Sequence, residues 1–488
     1  MKNYLNSVVL LTCIVLVMLL GLYYLPPITI AGVELKKVDM LADIRVAQDT
    51  DVSQPIAIDT TELKLDTANL AIVSDTVAPV MDSVKISAKE EFYNNVIKVK
   101  KDTTAVGVAH IIDYADSTQR GMFPFYTALD AMKEDEHQYT HIAFFGDSFI
   151  EADILTADLR TLLQKEYGGC GVGFVPITSE VRFFRRSVVH DFKGWDSFAV
   201  TQKPYDKSLL GISGEYFVPT SNAYVEYKGQ SKFGSLLDTC QVASIYYNIE
   251  NPLEVVQRIN GARRDTLFLS SSEGLQQHQA FEKIGKIRWN IPADSTAAFK
   301  GATLDGEGGI TLDNFGQRGS SGYSLTQIPA QKLKDFNNYR PYDLIVLEYG
   351  LNVVAKNVNN YGYYKKGLTQ VVKYLKQCFP QAGFLIVRVS DRNVKGADGE
   401  YHTMPEIKSF VKMQQELAKE NNIAFWNLFE AMGGDDSMVD LVNAKPAKAN
   451  LDYTHINFIG GKYLGKKLFE ALKDGKEMFD KKEVYTDE

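Results

Sequence analysis

The hydrophobic pattern divides the chain into four stretches of different character. From Val8 to Leu25 there are 18 residues without a charge, mostly Val, Leu, Ile and Met, ending at Pro26-Pro27. That length spans the hydrocarbon core of a bilayer. No A-x-A-like cleavage site follows, so residues 1–30 are expected to be a retained transmembrane signal anchor with the amino terminus inside. From Asp43 to Asp82 neither the helical nor the strand period holds, and eight acidic residues face only Arg45 and Lys64. Residues 31–104 therefore read as a flexible acidic, Thr-rich linker.

Organised patterning begins near Val106. Ile111-Ile112 predicts a short strand, Phe123 to Met132 a helix, His141 to Phe145 an apolar strand and Thr156 to Tyr167 an amphipathic helix. Between about Val181 and Ala302 the pattern becomes short aromatic and β-branched runs: Tyr216–Val218, Ala223–Tyr227, Val242–Ile249, Val255–Ile259 and Thr266–Leu269. Asn260-Gly261 marks a hairpin turn. Residues 181–302 thus predict an inserted β-sandwich, in which Trp195, Tyr216, Tyr224 and Tyr227 are candidates for stacking on sugars, although core packing is the commoner role of such residues.

Strand and helix then alternate: strands near Ile310, at Tyr342 to Leu347, at Gly383 to Val389 and at Ala424 to Leu428, with helices at Tyr361–Phe379, Met404–Asn421 and Gly460–Ala471. Strands separated by helices make a parallel sheet. The expected fold is α/β, a flavodoxin-like sheet of about five parallel strands split between residues 105–180 and 303–475, with a charged tail at 476–488.

Composition narrows the function. Of 488 residues, 53 are Lys or Arg and 61 Asp or Glu, giving a net charge of -8. No basic block exceeds clusters such as Lys98-Val99-Lys100-Lys101, so nucleic acid is not an expected partner. Cys13, Cys170, Cys240 and Cys378 form no C-x-x-C pair, and no H-E-x-x-H occurs; neither metal nor cofactor is expected.

Four segments carry candidate chemistry. Gly146-Asp147-Ser148-Phe149 puts a serine at a strand-to-helix turn, where open α/β sheets bind ligands. Leu451-Asp452-Tyr453-Thr454-His455 precedes the last helix; a histidine there can take the serine proton while the aspartate holds its tautomer. The strand through Leu347 ends in Gly350-Leu351-Asn352, whose amide can face a developing oxyanion. Asn314 to Gly322 is glycine-rich, and Gly319 is the preferred backbone donor, with Gly316 and Gly322 as competitors. Ser390-Asp391-Arg392 ends another strand on the same edge; for Arg392 a solvated loop charge is the stronger reading.

Taken along the chain, the serine, the glycine, the asparagine and the Asp-x-x-His segments resemble, in that order, the SGNH, or GDSL, hydrolase family. The resemblance implies that Ser148 is the nucleophile, that its N–H, the Gly319 N–H and the Asn352 amide form an oxyanion hole, and that Asp452 and His455 complete a triad. Where the family has Gly-x-Asn-Asp, this chain has Val353 in the last place. The segment Phe145 to Pro176, with Gly168-Gly169-Cys170-Gly171-Val172-Gly173-Phe174, further resembles bacterial peptidoglycan O-acetylesterases and polysaccharide O-acetyl-transferring proteins. That likeness implies a carbohydrate-binding-module-like insertion, an acetylated glycan substrate and a catalytic domain on the extracytoplasmic side of the membrane. It leaves two enzymes open, an O-acetylesterase and an O-acetyltransferase with a membrane acyl-transfer partner; an inactive glycan-binding protein fits the intact Ser148, Asp452 and His455 less well.

Overall fold

The computed structural model describes residues 29–30, 33–34, 110–115, 121–135, 138–261 and 263–480. The apolar run Val8 to Leu25, nearly all of the linker and the end of the tail lie outside them. Among the described residues no helix is long and apolar enough to cross a membrane; the expected anchor lies outside them. Thr29–Ile30 pairs antiparallel with Val33–Glu34 in a unit of its own.

The remaining residues build two sheets. The first contains β1 (Ile111–Asp113), β2 (Tyr139–Gly146), β3 (Gly309–Gly316), β4 (Leu344–Glu348), β5 (Gly383–Val387) and β6 (Ala424–Trp426) in the order β3-β2-β4-β5-β6-β1. The first five are parallel, in flavodoxin-like order, and β1 closes one edge antiparallel to β6. The sequence pattern gave five parallel strands; β1, only three residues long, has no period from which its direction could be read. Strands β4 and β5 are buried at every position, as strands covered on both faces must be.

The cover consists of α1 (Phe123–Glu134), α2 (Thr156–Tyr167), α3 (Ala330–Tyr339), α4 (Gly362–Cys378), α5 (Pro405–Glu420) and α6 (Phe458–Asp480). Helix α6 runs well past Ala471, because Lys476 is buried and its ammonium bonds Asp130 (2.7 Å) and Asp480. The start of the expected tail is therefore helical. A Cβ on Gly461 would collide with the Ile154 carbonyl oxygen, so glycine lets α6 lie directly against the segment that follows Ser148.

The second sheet has nine antiparallel strands. It draws in Gly173–Val175 and Ala298–Asp305 as well as the segments between them. Hydrogen bonds link all nine strands, and the two parts of the sheet face one core, as the layers of the expected sandwich would. The strand Glu215–Lys228 is long enough to pair through both parts, and the single position Phe217 opposite Phe299 joins them. Residues of both parts, among them Val225, Trp289, Ile245 and Ala302, share one hydrophobic core. Tyr216 and Tyr227 are buried in cores. Trp195 is half-buried and donates its indole N–H to the Tyr224 carbonyl (2.9 Å), and the Tyr224 ring carries the Arg288 guanidinium at 3.6 Å.

Candidate active site

Strand β2 ends at Gly146, and Asp147 closes the turn that carries Ser148. Its carboxylate accepts the Phe149 N–H (2.9 Å), while the buried side chains of Phe149 and Ile150 pin the turn to the core. The Ser148 Oγ lies 3.2 Å from His455 Nε2. At the other end of the fold, Asp452 orders its own loop. One carboxylate oxygen accepts the N–H groups of Thr454 and His455, each at 3.0 Å, and the other lies 2.8 Å from His455 Nδ1. An ionised carboxylate only accepts, so Nδ1 carries the proton and Nε2 presents its lone pair to Ser148. Burial raises the Asp452 carboxyl, but the bonds from His455 and Thr454 outweigh it and hold it below its ordinary value. Asn457 fixes the entry to α6 by accepting the N–H groups of Ile459 (2.9 Å) and Gly460 (3.1 Å). The sequence motifs separated by more than 300 residues thus meet as a serine–histidine–aspartate relay.

Backbone donors separate the three glycines. The Gly316 N–H is taken by Asn314 Oδ1 (2.8 Å) and the Gly322 N–H by Ser320 Oγ (3.1 Å). Gly319, at φ +74°, donates its N–H to no described residue, and neither does Ser148. Two uncommitted N–H groups near a nucleophile can stabilise negative charge. Asn352 is committed: its Nδ2 donates to Asp147 Oδ2 (2.9 Å) and to the Ser320 carbonyl (3.3 Å). To face an oxyanion it must release the longer of these bonds. Val353, in the place of the second aspartate, packs half-buried on the core.

The role of Asp147 was not read from the sequence, although it stands beside the serine. Burial pushes its carboxyl up to about 6, against the bond from Phe149. Beneath it lies Glu348, fully buried at the end of β4; burial first, then the Asp147 charge, raise its carboxyl well above the ordinary carboxylate range. Asp452 and His455 are open, with 49% and 40% of their side-chain surfaces exposed, so the relay lies at a surface that a polymer can reach.

No family model and no curated protein matches the chain. Solved structures do. A peptidoglycan O-acetylesterase aligns over 75% of this chain and 99% of its own, at 21% identity and a TM-score of 0.61. Shorter matches are a GDSL-like protein of Parabacteroides merdae, at 19% identity over 34% of this chain and 73% of its own with a TM-score of 0.27, and an acetyl xylan esterase, at 18% identity over 33% and 81% with a TM-score of 0.26. At a TM-score of 0.61 the chain shares the fold of the peptidoglycan O-acetylesterase over nearly the whole length of that protein.

Proposed function

We propose that the protein is a serine esterase that removes O-acetyl groups from a cell-wall or secreted polysaccharide, peptidoglycan first, through an acetyl-serine intermediate. The observation that carries the reading is the Ser148–His455–Asp452 relay, at 3.2 and 2.8 Å, beside the uncommitted N–H groups of Ser148 and Gly319. Ser148 Oγ attacks the ester carbonyl carbon as His455 Nε2 takes its proton. The oxyanion is held by the two N–H groups and by the Asn352 amide. As the intermediate collapses, the carbon–oxygen bond to the sugar breaks, and the leaving sugar oxygen takes the proton from His455. Water, giving a proton to His455, then attacks the acetyl-serine carbonyl; the bond to Ser148 Oγ breaks, Oγ takes the proton back from His455, and acetate leaves. The openness of Asp452 and His455 and the fold shared with a peptidoglycan O-acetylesterase support a polymeric glycan.

In this reading the apolar run Val8 to Leu25 tethers the catalytic fold to the outer face of the cytoplasmic membrane, and the nine-stranded module is a carbohydrate-binding region. Acetate release from para-nitrophenyl acetate and from O-acetylated peptidoglycan, compared between wild type and Ser148→Ala, tests the chemistry. Turnover that persists in the variant removes the mechanism. Acetyl transfer to an added sugar in place of free acetate makes the protein a transferase.

A further inference from the structure

Arg392 occupies the loop that follows β5, at the edge of the sheet that carries the relay. The loop is held rigidly. The fully buried Asp391 carboxylate accepts bonds from Thr403 Oγ1 (2.9 Å), the Met438 N–H (3.0 Å) and Ser437 Oγ (3.4 Å). The Arg392 carbonyl accepts the Met404 N–H (2.8 Å), and the next residue, Asn393, donates its N–H to the carbonyl of Tyr453 (3.0 Å), inside the Asp452–His455 loop. Arg392 is thus fixed beside the catalytic loop.

Its side chain is half-buried, yet it makes no hydrogen bond, ion pair or ring contact with any described residue. The other sheltered arginines differ. Arg160 and Arg185 bind Asp153, Arg340 binds Asp305 and Asp313, and Arg388 binds Asn427. On the far rim of the site, Arg318 is paired with Glu151 at 2.7 Å. The Arg392 N–H donors are taken by no described residue and are not sealed from water, so a ligand at the site can take them. Burial lowers the Arg392 pKa, and the charge of Asp452 opposes that fall.

We propose that Arg392 recognises a carboxylate on the acetylated substrate, making the site selective for acidic glycans over neutral ones. A planar guanidinium pairs a carboxylate through two parallel N–H bonds, and neutral sugar hydroxyls offer no equivalent. The inference rests on the esterase reading and adds the substrate's charge to it.

The test compares wild type, Arg392→Ala and Arg392→Lys on three probes: para-nitrophenyl acetate, acetylated xylan as a neutral polymer and acetylated polygalacturonate as an acidic one. Wild type is expected to prefer the acidic polymer. Arg392→Ala should lower kcat/KM on that polymer about 10- to 100-fold, chiefly through KM, with little change on the two neutral probes, and Arg392→Lys should recover part of the loss. A wild type that uses the neutral polymer as well as or better than the acidic one, or that leaves the acidic one untouched, overturns the proposal. So does an equal loss on all three probes, which would make Arg392 a tuner of Asp452. Failure of wild type on para-nitrophenyl acetate would instead strike the esterase reading itself.

Discussion

Tyr401 lies face to face on Tyr453, with ring centroids 3.8 Å apart and planes 9° from parallel. Tyr453 sits between Asp452 and His455 with φ +54°, a left-handed backbone that a bulky residue adopts only when its surroundings impose it. The imposing element is the hairpin formed by Asn393–Lys395 and Tyr401–Thr403, which also bonds the Tyr453 carbonyl. The stack therefore positions the relay. Tyr401→Ala should lower kcat on para-nitrophenyl acetate about 3- to 10-fold, the value of a lost aromatic pair, while KM changes little and Tyr401→Phe restores the rate. An unchanged kcat in the alanine variant would show that the loop holds itself.

Asn352 and Asp147 form a second such pair. The amide that the resemblance assigns to the oxyanion hole is aimed by Asp147 Oδ2 at 2.9 Å. Asn352→Ala removes a donor to the developing charge and should cost about 10²- to 10³-fold in kcat. If Ser148 and Gly319 suffice as donors, the loss will be far smaller, and steady-state kinetics on the same acetyl ester separates the two cases.

The sheet was legible because its strands are continuous apolar runs separated by helical periods, and the five parallel strands follow from that alternation. The relay residues were legible because a serine after a strand and an Asp-x-x-His before a helix are local patterns. What could not be read was long-range. Nothing in the sequence joins Tyr401 to Tyr453 or Arg392 to the Asp452 loop, since these contacts cross about 50 to 60 residues of chain and have no period of their own. The half-burial of Arg392 was not legible, because sequence carries no measure of burial. The single pairing that links the two parts of the β module was not legible either, because the length of Glu215–Lys228 is hidden by the polar residues Thr220 to Asn222, which interrupt its apolar pattern.

Asp452 binds both the imidazole and the backbone of its own loop, so replacing it tests orientation and charge together. Asp452→Asn keeps the size but removes the charge that stabilises the imidazolium, and the amide can turn an N–H toward Nδ1, favouring the wrong tautomer. A fall in kcat of about 10²- to 10⁴-fold is expected, with a melting temperature close to wild type because the side chain is half exposed. Because the wild-type carboxyl is held below its ordinary value, it is ionised across the neutral range, and the activity of wild type should show no ionisation of Asp452 there. Near-normal turnover by the variant would remove Asp452 from the relay.

Five residues after the serine, Asp153 gathers Arg160, Arg185 and Ser187 in a fully buried cluster: Arg160 Nη2 lies 3.2 Å away, Arg185 Nη2 lies 3.0 Å away, and the Ser187 hydroxyl donates to the same carboxylate. Through Arg185 the cluster ties the start of the β module to the turn that follows Ser148. Burial raises the Asp153 carboxyl, but the charges of Arg160 and Arg185 and the Ser187 bond outweigh it and hold it well below the ordinary range. A depressed folded pKa means that this group stabilises the protein fully above the unfolded aspartate value of about 3.9 and loses that contribution as pH falls from there through the folded value. Asp153→Asn leaves two buried guanidinium groups without their counter-charge and should cost about 3–5 kcal/mol at neutral pH. Urea unfolding at neutral and acidic pH checks both parts. The variant should be much the weaker at neutral pH, and the gap should narrow on acidification. A gap that stays constant with pH would mean that the cluster acts through packing and not through charge.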